Sequence, residues 1–347
     1  MSYPCLKINL SSISKNSKII NDRCTSSGIA VVGVLKCTLG DLKIAQAMKM
    51  QGIEVFGDSR LANLRKLRSF FGPDQELILL RTPMLSEVEE MVNVCDISMN
   101  TQIETIDKIS EACRYRDKMH RIIIMVETDD SREGLLPREV IPFCDHVVKN
   151  CSNINIWGIG TNARCISDRR PLPESIGILL ELKKEIERKY PVEIPVISGG
   201  NSSVWDLIEK GLMPKGVSQV RMGEIILLGH ETANYRQVKN ASTDAFLLEA
   251  EIIEVKRKDS GIYKLIAALG LQDVHCKYIT CDNDSFEVSA QSSDHTVLLV
   301  KDGAVFKPGD IITFKLNYFG VLSCMTSPFV EKVYRGGGLK EMPGVKA

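Results

Sequence analysis

The sequence predicts an α/β protein: a (β/α)8 TIM barrel over residues 1–235, followed by a smaller, mostly-β domain over residues 236–347. Three observations predict it. Between residues 29 and 223, short β-branched runs alternate with longer stretches of helical period, the pattern of parallel strands joined by crossover helices. Such runs occur eight times, the number that closes a barrel. After residue 240 the spacing tightens to short apolar runs divided by turn formers, which marks a β unit.

Taken in order, "SSISKNSKII" reads as an extra helix ahead of the barrel. The barrel strands follow at "IAVVGVLK", "IEVFGD", "LILL", "DISM", "IIIMVE", "INIWGIG", "IPVISGG" and "VSQVRMG", with amphipathic stretches such as "QIETIDKISEACRYRDK" between them. An open dinucleotide-binding sheet is the rival, but "GVLKCTLGD" lacks the G-x-G-x-x-G that would follow its first strand. The domain boundary is expected near "ANYRQVKNASTD". Beyond it, "AFLLEAEIIEV", "YKLIAAL", "FEVSAQS", "TVLLV" and "DIITFKL" read as strands separated by "KDSG", "DND" and "KPGD". The tail "RGGGLKEMPGVKA" is expected to be mobile.

Composition excludes several function classes. Lys+Arg and Asp+Glu number 44 each, so no basic excess points to nucleic acid. The start lacks a charged leader with an apolar core, and no apolar run is long enough to span a bilayer; a cytoplasmic protein is expected. Eleven cysteines, an odd number without any C-x-x-C pair, argue for reduced thiols. The five histidines show no H-x-x-x-H spacing, so no dedicated metal site is predicted, with His275-Cys276 a weak exception.

Chemistry in such a barrel collects at the carboxyl ends of its strands. There the sequence places Lys36, "GDSR" (57–60), Arg81, Asn100, Glu127 with Arg132, "GTN" (160–162), "SGGNSS" (198–203) and Arg221. Glycines in "SGGNSSVWDLIEKG" permit close backbone approach, Asn201, Ser202 and Ser203 offer polar groups, and the following helix presents free N–H groups. A Gly-Gly turn with a serine cap is the plainer reading; its place after strand seven, with "RMGE" after strand eight, favours a phosphate cradle. Lys36 ends an apolar run, where an ammonium is costly to bury. It can snorkel to the rim or pair with Asp58. Set across from a phosphate cradle, its amine suits a phosphorylated aldehyde, and pyridoxal 5'-phosphate meets both requirements.

On these motifs, together with "GDSRLANL", "ETDDSREGL", "GIGTNARC", "LGLQDVH" and "SSDH", the chain resembles the alanine racemase family of pyridoxal-phosphate enzymes, most closely its ornithine racemase branch. The resemblance implies that Lys36 carries the cofactor, that Arg132 faces its phenolic oxygen, that Ser202 and Gly223 contact its phosphate, and that Arg221 faces its pyridine nitrogen. Asn162 stands where the family has a histidine, Met125 where it has a carbamylated lysine, and Pro328 where it has a phosphate-binding tyrosine. Leu271 occupies the position of the tyrosine that acts as second base. The first candidates for that missing role are Asp273 and His275, with Cys165 and Asp294 behind them; Ser293 and Asp294 are candidate substrate contacts. The implied reaction is interconversion of L- and D-amino acids, ornithine foremost, by Cα proton exchange through an external aldimine. A homodimer is implied, with the second domain of one chain over the barrel mouth of the other.

A basic substrate calls for an acidic residue near its far end, and Asp58, Glu127, Asp129 and Asp273 are the candidates. Two other functions share the barrel: a cofactor carrier without turnover, which would not need the second domain, and a metal-assisted lyase or aldolase acting on D-hydroxy amino acids, for which "DVHC" is the sole hint.

Overall fold

The computed structural model describes residues 2–128, 130–257, 263–282, 285–300 and 305–336. The expected turn at 258–261, most of that at 282–284 and the tail beyond 336 lie outside the described residues.

The chain opens with β1 (Cys5–Asn9) and α1 (Leu10–Thr25). Asn9 caps α1, its side chain accepting from the Ser11 and Ser12 N–H groups, which have no partner within the helix. Leu10, Ile13, Ile20 and Cys24 recur at helical spacing on the buried face of α1. On the same face the Asn16 amide donates to the Ile226 and Ser242 carbonyls, both at 2.9 Å, so this buried polar group is satisfied.

Eight parallel strands then close the barrel: β2 (Ala30–Val34), β3 (Val55–Asp58), β4 (Leu77–Leu79), β5 (Ile97–Asn100), β6 (His120–Met125), β7 (Ile154–Gly160), β8 (Val196–Ser198) and β9 (Gln219–Met222), with β9 pairing back to β2. Between them run α2 (Leu42–Lys49), α3 (Leu61–Phe71), α4 (Val88–Val94), α5 (Ile103–Tyr115), α6 (Pro137–Asn150), α7 (Pro173–Lys189) and α8 (Trp205–Glu209); α9 (Glu224–Leu228) follows the last strand. Inside the barrel Val32, Ile78, Ile97, Met99, Ile123 and Met125 form their own cluster, which makes the interior a packed core. A second, larger cluster fills the space between strands and helices and continues into the second domain.

That domain consists of β10 (Phe246–Arg257), β11 (Tyr263–Ala267), β12 (Ile279–Cys281), β13 (Phe286–Gln291), β14 (Thr296–Val300), β15 (Ile311–Leu316), α10 (Tyr318–Thr326) and β16 (Glu331–Arg335). Its main path runs β12-β15-β10-β11-β14-β13, antiparallel throughout. The expected boundary at 235/236 falls in the linker after α9, where the buried Glu231 carboxylate accepts from the Ala233, Asn234 and Arg236 N–H groups. One assignment changes. β1, expected with the barrel, pairs antiparallel with β10 and parallel with β16, so both ends of the chain build the second sheet. Five residues are too few to announce that strand by period alone. No helix among the described residues is long and apolar enough to cross a membrane.

Candidate active site

At the carboxyl end of the barrel lies a cavity of about 600 Å³ whose lining includes Lys36, Arg132, Asn162, Cys165, Asn201, Ser202, Arg221 and Gly223. Asn317, Tyr318 and Phe319, at the start of α10, close one side from the second domain of the same chain. Eight of the residues singled out in the sequence therefore meet in one space, drawn from the ends of five strands.

β2 stops at Val34, two residues short of the expected strand end. Leu35 donates to the Gly57 carbonyl, and Lys36 then opens a single 3-10 turn (Lys36–Thr38) ended by Leu39 at φ 53°. This turn lifts Lys36 out of the barrel wall: the flanking Leu35 and Cys37 are buried, while Lys36 is open to the cavity. Asp58 sits buried nearby, accepting from the Arg60 N–H at 2.8 Å and the Asn63 amide at 3.1 Å. Burial pushes its pKa up to about 6, and these donors together with the Lys36 charge pull the other way.

Arg221 is the most constrained member. One terminal nitrogen donates to Ser198 Oγ at 2.5 Å and the other to the Thr161 carbonyl at 2.5 Å and Asn162 Oδ1 at 2.7 Å. The side chain borders the cavity. Burial lowers its pKa to about 10, which still leaves it protonated at neutral pH. Ser198 and Asn162, from the ends of β8 and β7, thus aim a guanidinium held by β9.

Ser202 lies where the turns after β8 and β9 meet. Ser202 Oγ accepts from the Gly223 N–H at 3.4 Å and the Ile225 N–H at 3.3 Å, joining the turns after β8 and β9. Gly200 adopts φ 141°, and a Cβ there would fall 2.5 Å from Val204 Cγ1, so only glycine fits without displacement. Asn201 accepts from the Ser203 N–H and donates to the Ala163 carbonyl, and Ser203 Oγ donates to the same carbonyl. Ser203 is buried and does not line the cavity; it holds the turn rather than facing it.

Glu127 and Asp130 position the loop after β6. Glu127 accepts from the N–H groups of Asp130, Ser131 and Arg132, and Asp130 Oδ1 accepts from those of Cys165 and Ile166. Arg132 donates to Glu133 at 2.7 Å, while its buried Nε, 3.7 Å from Asp130 Oδ2, makes no hydrogen bond. Cys165, exposed at the cavity and accepting from the Asn201 amide at 3.0 Å, has its pKa raised by partial loss of water despite the Arg132 charge.

Asp273, His275, Ser293 and Asp294 do not line this cavity in the same chain. The structure brings them together elsewhere: Leu271 and Gln272 donate to the Ser292 and Ser293 carbonyls, at 3.0 Å each, so "LQDVH" and "SSDH" form one loop pair in the second domain. Leu271 is half exposed at its tip. Asp273 turns inward, accepting from the Gly270 N–H and Ser327 Oγ, and His275 Nδ1 accepts from the Lys277 N–H. Asp129 lies outside the described residues. Among the described residues Asp107, His146 and Cys151 form a cluster of possible metal ligands on α5, α6 and the turn beyond, and none of the three lines the cavity.

Sequence reasoning missed Glu224, Tyr318, Arg164, Thr232 and Tyr235, which also line the cavity. Glu224 carried a signal, directly after the cradle glycine; Tyr318 carried none, because α10 reads as an apolar run.

The profile of the alanine racemase N-terminal domain matches residues 8–231. A lysine racemase of Thermotoga maritima is 36% identical, over 96% of this chain and 99% of its own length. An ornithine racemase of Acetoanaerobium sticklandii is 33% identical, over 95% of this chain and 99% of its own. Among solved structures, alanine racemase of Clostridium difficile 630 in complex with cycloserine superposes with a TM-score of 0.73 at 17% identity, covering 96% of each chain. A D-threo-3-hydroxyaspartate dehydratase from Delftia sp. HT23 gives 0.76 at 17% identity, covering 96% of this chain and 95% of its own. At such identities the likeness is one of fold.

Proposed function

The chain belongs to the alanine racemase family, and from that membership we propose that it is a pyridoxal-phosphate-dependent racemase of basic amino acids, ornithine foremost and lysine beside it. The observation that carries the reading is the meeting of an exposed lysine amine, an anion cradle and an aimed guanidinium in one cavity. The donor set fits the cofactor: Lys36 supplies the amine for its aldehyde, Ser202 and Gly223 suit its phosphate, the unpartnered Nε of Arg132 suits its ring oxygen, and the Arg221 guanidinium at the cavity wall suits its ring nitrogen. When bound, the cofactor would supply an aldehyde for the substrate amine and an electron-withdrawing ring for Cα.

This chain's residues do the rest. Lys36 exchanges the Cα proton on one face. Arg221, protonated and held by Ser198, Thr161 and Asn162, offers a hydrogen bond without giving up its proton. Glu127 and Asp130 fix the loop that presents Arg132 and Cys165. The opposite face needs a second proton carrier. Cys165 is the candidate at the mouth of the same chain; in the proposed homodimer His275 and Asp294 arrive on the partner's loop pair, with Asp273 as the internal brace of that loop.

The test has two parts. Borohydride reduction after incubation with pyridoxal phosphate should label Lys36, and ornithine in deuterated water should racemise with deuterium entering at Cα. Cofactor-loaded protein that exchanges no Cα hydrogen of ornithine, lysine or alanine would overturn the reading.

A further inference from the structure

We propose that Glu224 is the residue by which this enzyme selects amino acids with a cationic side chain, its carboxylate receiving the distal ammonium of a diamino acid. The inference rests on the proposed function and deepens it.

Of the acids considered from sequence alone, Asp129 lies outside the described residues and the other three are committed elsewhere. Asp58 is fully buried and accepts from Arg60 and Asn63. Glu127 spends both oxygens on the loop after β6, and Asp273 braces its own loop. None of the three lines the cavity. Glu224 does, and among the described residues it is the one carboxyl group that does so.

Its surroundings make it a receiver waiting for a cation. Glu224 follows Gly223 directly, so it stands beside the anion cradle and within the influence of the Lys36 charge. It has no hydrogen-bond or ion-pair partner among the described residues, although it is partly buried. Dehydration raises its pKa to about 7, with Lys36 as the one group opposing that rise. A carboxyl in this condition gains when a cation arrives, because the ion supplies the partner that the fold omits. Val34, Leu80 and Met99 line the same cavity and offer apolar wall to the methylenes between Cα and the distal amine. A substrate of equal length without that amine leaves Glu224 dehydrated and unpaired, and a missing hydrogen bond in a site built for one discriminates strongly.

The experiment compares ornithine with norvaline, which has the same chain but no distal amine. Racemisation by cofactor-loaded wild type, Glu224→Gln and Glu224→Asp is measured, with cofactor content matched by absorbance. The ornithine-to-norvaline ratio of kcat/KM should fall about 10- to 100-fold in E224Q, chiefly through the KM for ornithine, and recover substantially in E224D. An unchanged ratio in E224Q overturns the assignment. Inhibition of the wild type supplies a measurement that needs no variant: 1,4-diaminobutane should compete with ornithine at least ~10-fold more strongly than butylamine, and equal inhibition also overturns it. A wild type that racemises no diamino acid would instead bring down the proposed function, and that result precedes any variant.

Discussion

A carboxyl that waits unpaired for its ligand should weaken the fold that carries it, and replacing Glu224 by glutamine measures how much. The folded-state pKa is about 7 against an ordinary value of 4.5, with dehydration the leading cause. An acid whose folded pKa lies above its unfolded one destabilises the fold progressively as pH rises between the two values and fully above the higher. At 1.36 kcal/mol per tenfold change in acidity, the cost is about 3 kcal/mol at pH 8.5 and about 1 kcal/mol at pH 5. Glutamine keeps the shape and cannot ionise. Cofactor-free E224Q should therefore unfold at least ~2 °C above the wild type at pH 8.5, and the gap should close towards pH 5. Calorimetric scans of both proteins at the two pH values decide it. A gap independent of pH, or a variant less stable at pH 8.5, would mean that Glu224 is ionised and paired in the free protein, and the physical basis for its waiting state would be gone.

Other expectations follow from single residues. Lys36→Ala should abolish the borohydride-stable label and lower racemisation by at least ~10³-fold, read by peptide mapping and polarimetry. Gly200→Ala should weaken pyridoxal-phosphate binding, because a Cβ would strike Val204 at the turn that positions Ser202; equilibrium dialysis measures the loss. His120, the buried first residue of β6, lies 2.9 Å from Ser98 Oγ, and burial lowers its pKa from 6.5 to about 4. The unfolded chain takes up that proton first, so wild-type stability is fully present above pH 6.5 and falls by about 3 kcal/mol by pH 4. His120→Asn should flatten this acid limb in a pH series of thermal midpoints.

The barrel was legible because each strand is a short β-branched run whose flanks change period, and the eight runs leave one closed arrangement. Lys36 and Arg221 were legible for a related reason, since a fixed cation at the end of an apolar strand has few places to go in a barrel except the mouth, whereas Arg132, in the loop after β6, was legible through the "DDSREGL" resemblance. β1 and α10 were not, since five residues carry too little period and α10 is apolar on most sides. The acids show where residue order stops informing. Asp273 and Glu224 each follow or precede a glycine turn by a few residues, and either would pass for a turn or helix-start acid. Their fates part through contacts distant in sequence: Ser327 and the Gly270 N–H take up Asp273, whereas no described group does the same for Glu224. Whether an acid braces a loop or faces a ligand is thus decided by the donors that folding delivers to it, and those donors come from other segments of the chain.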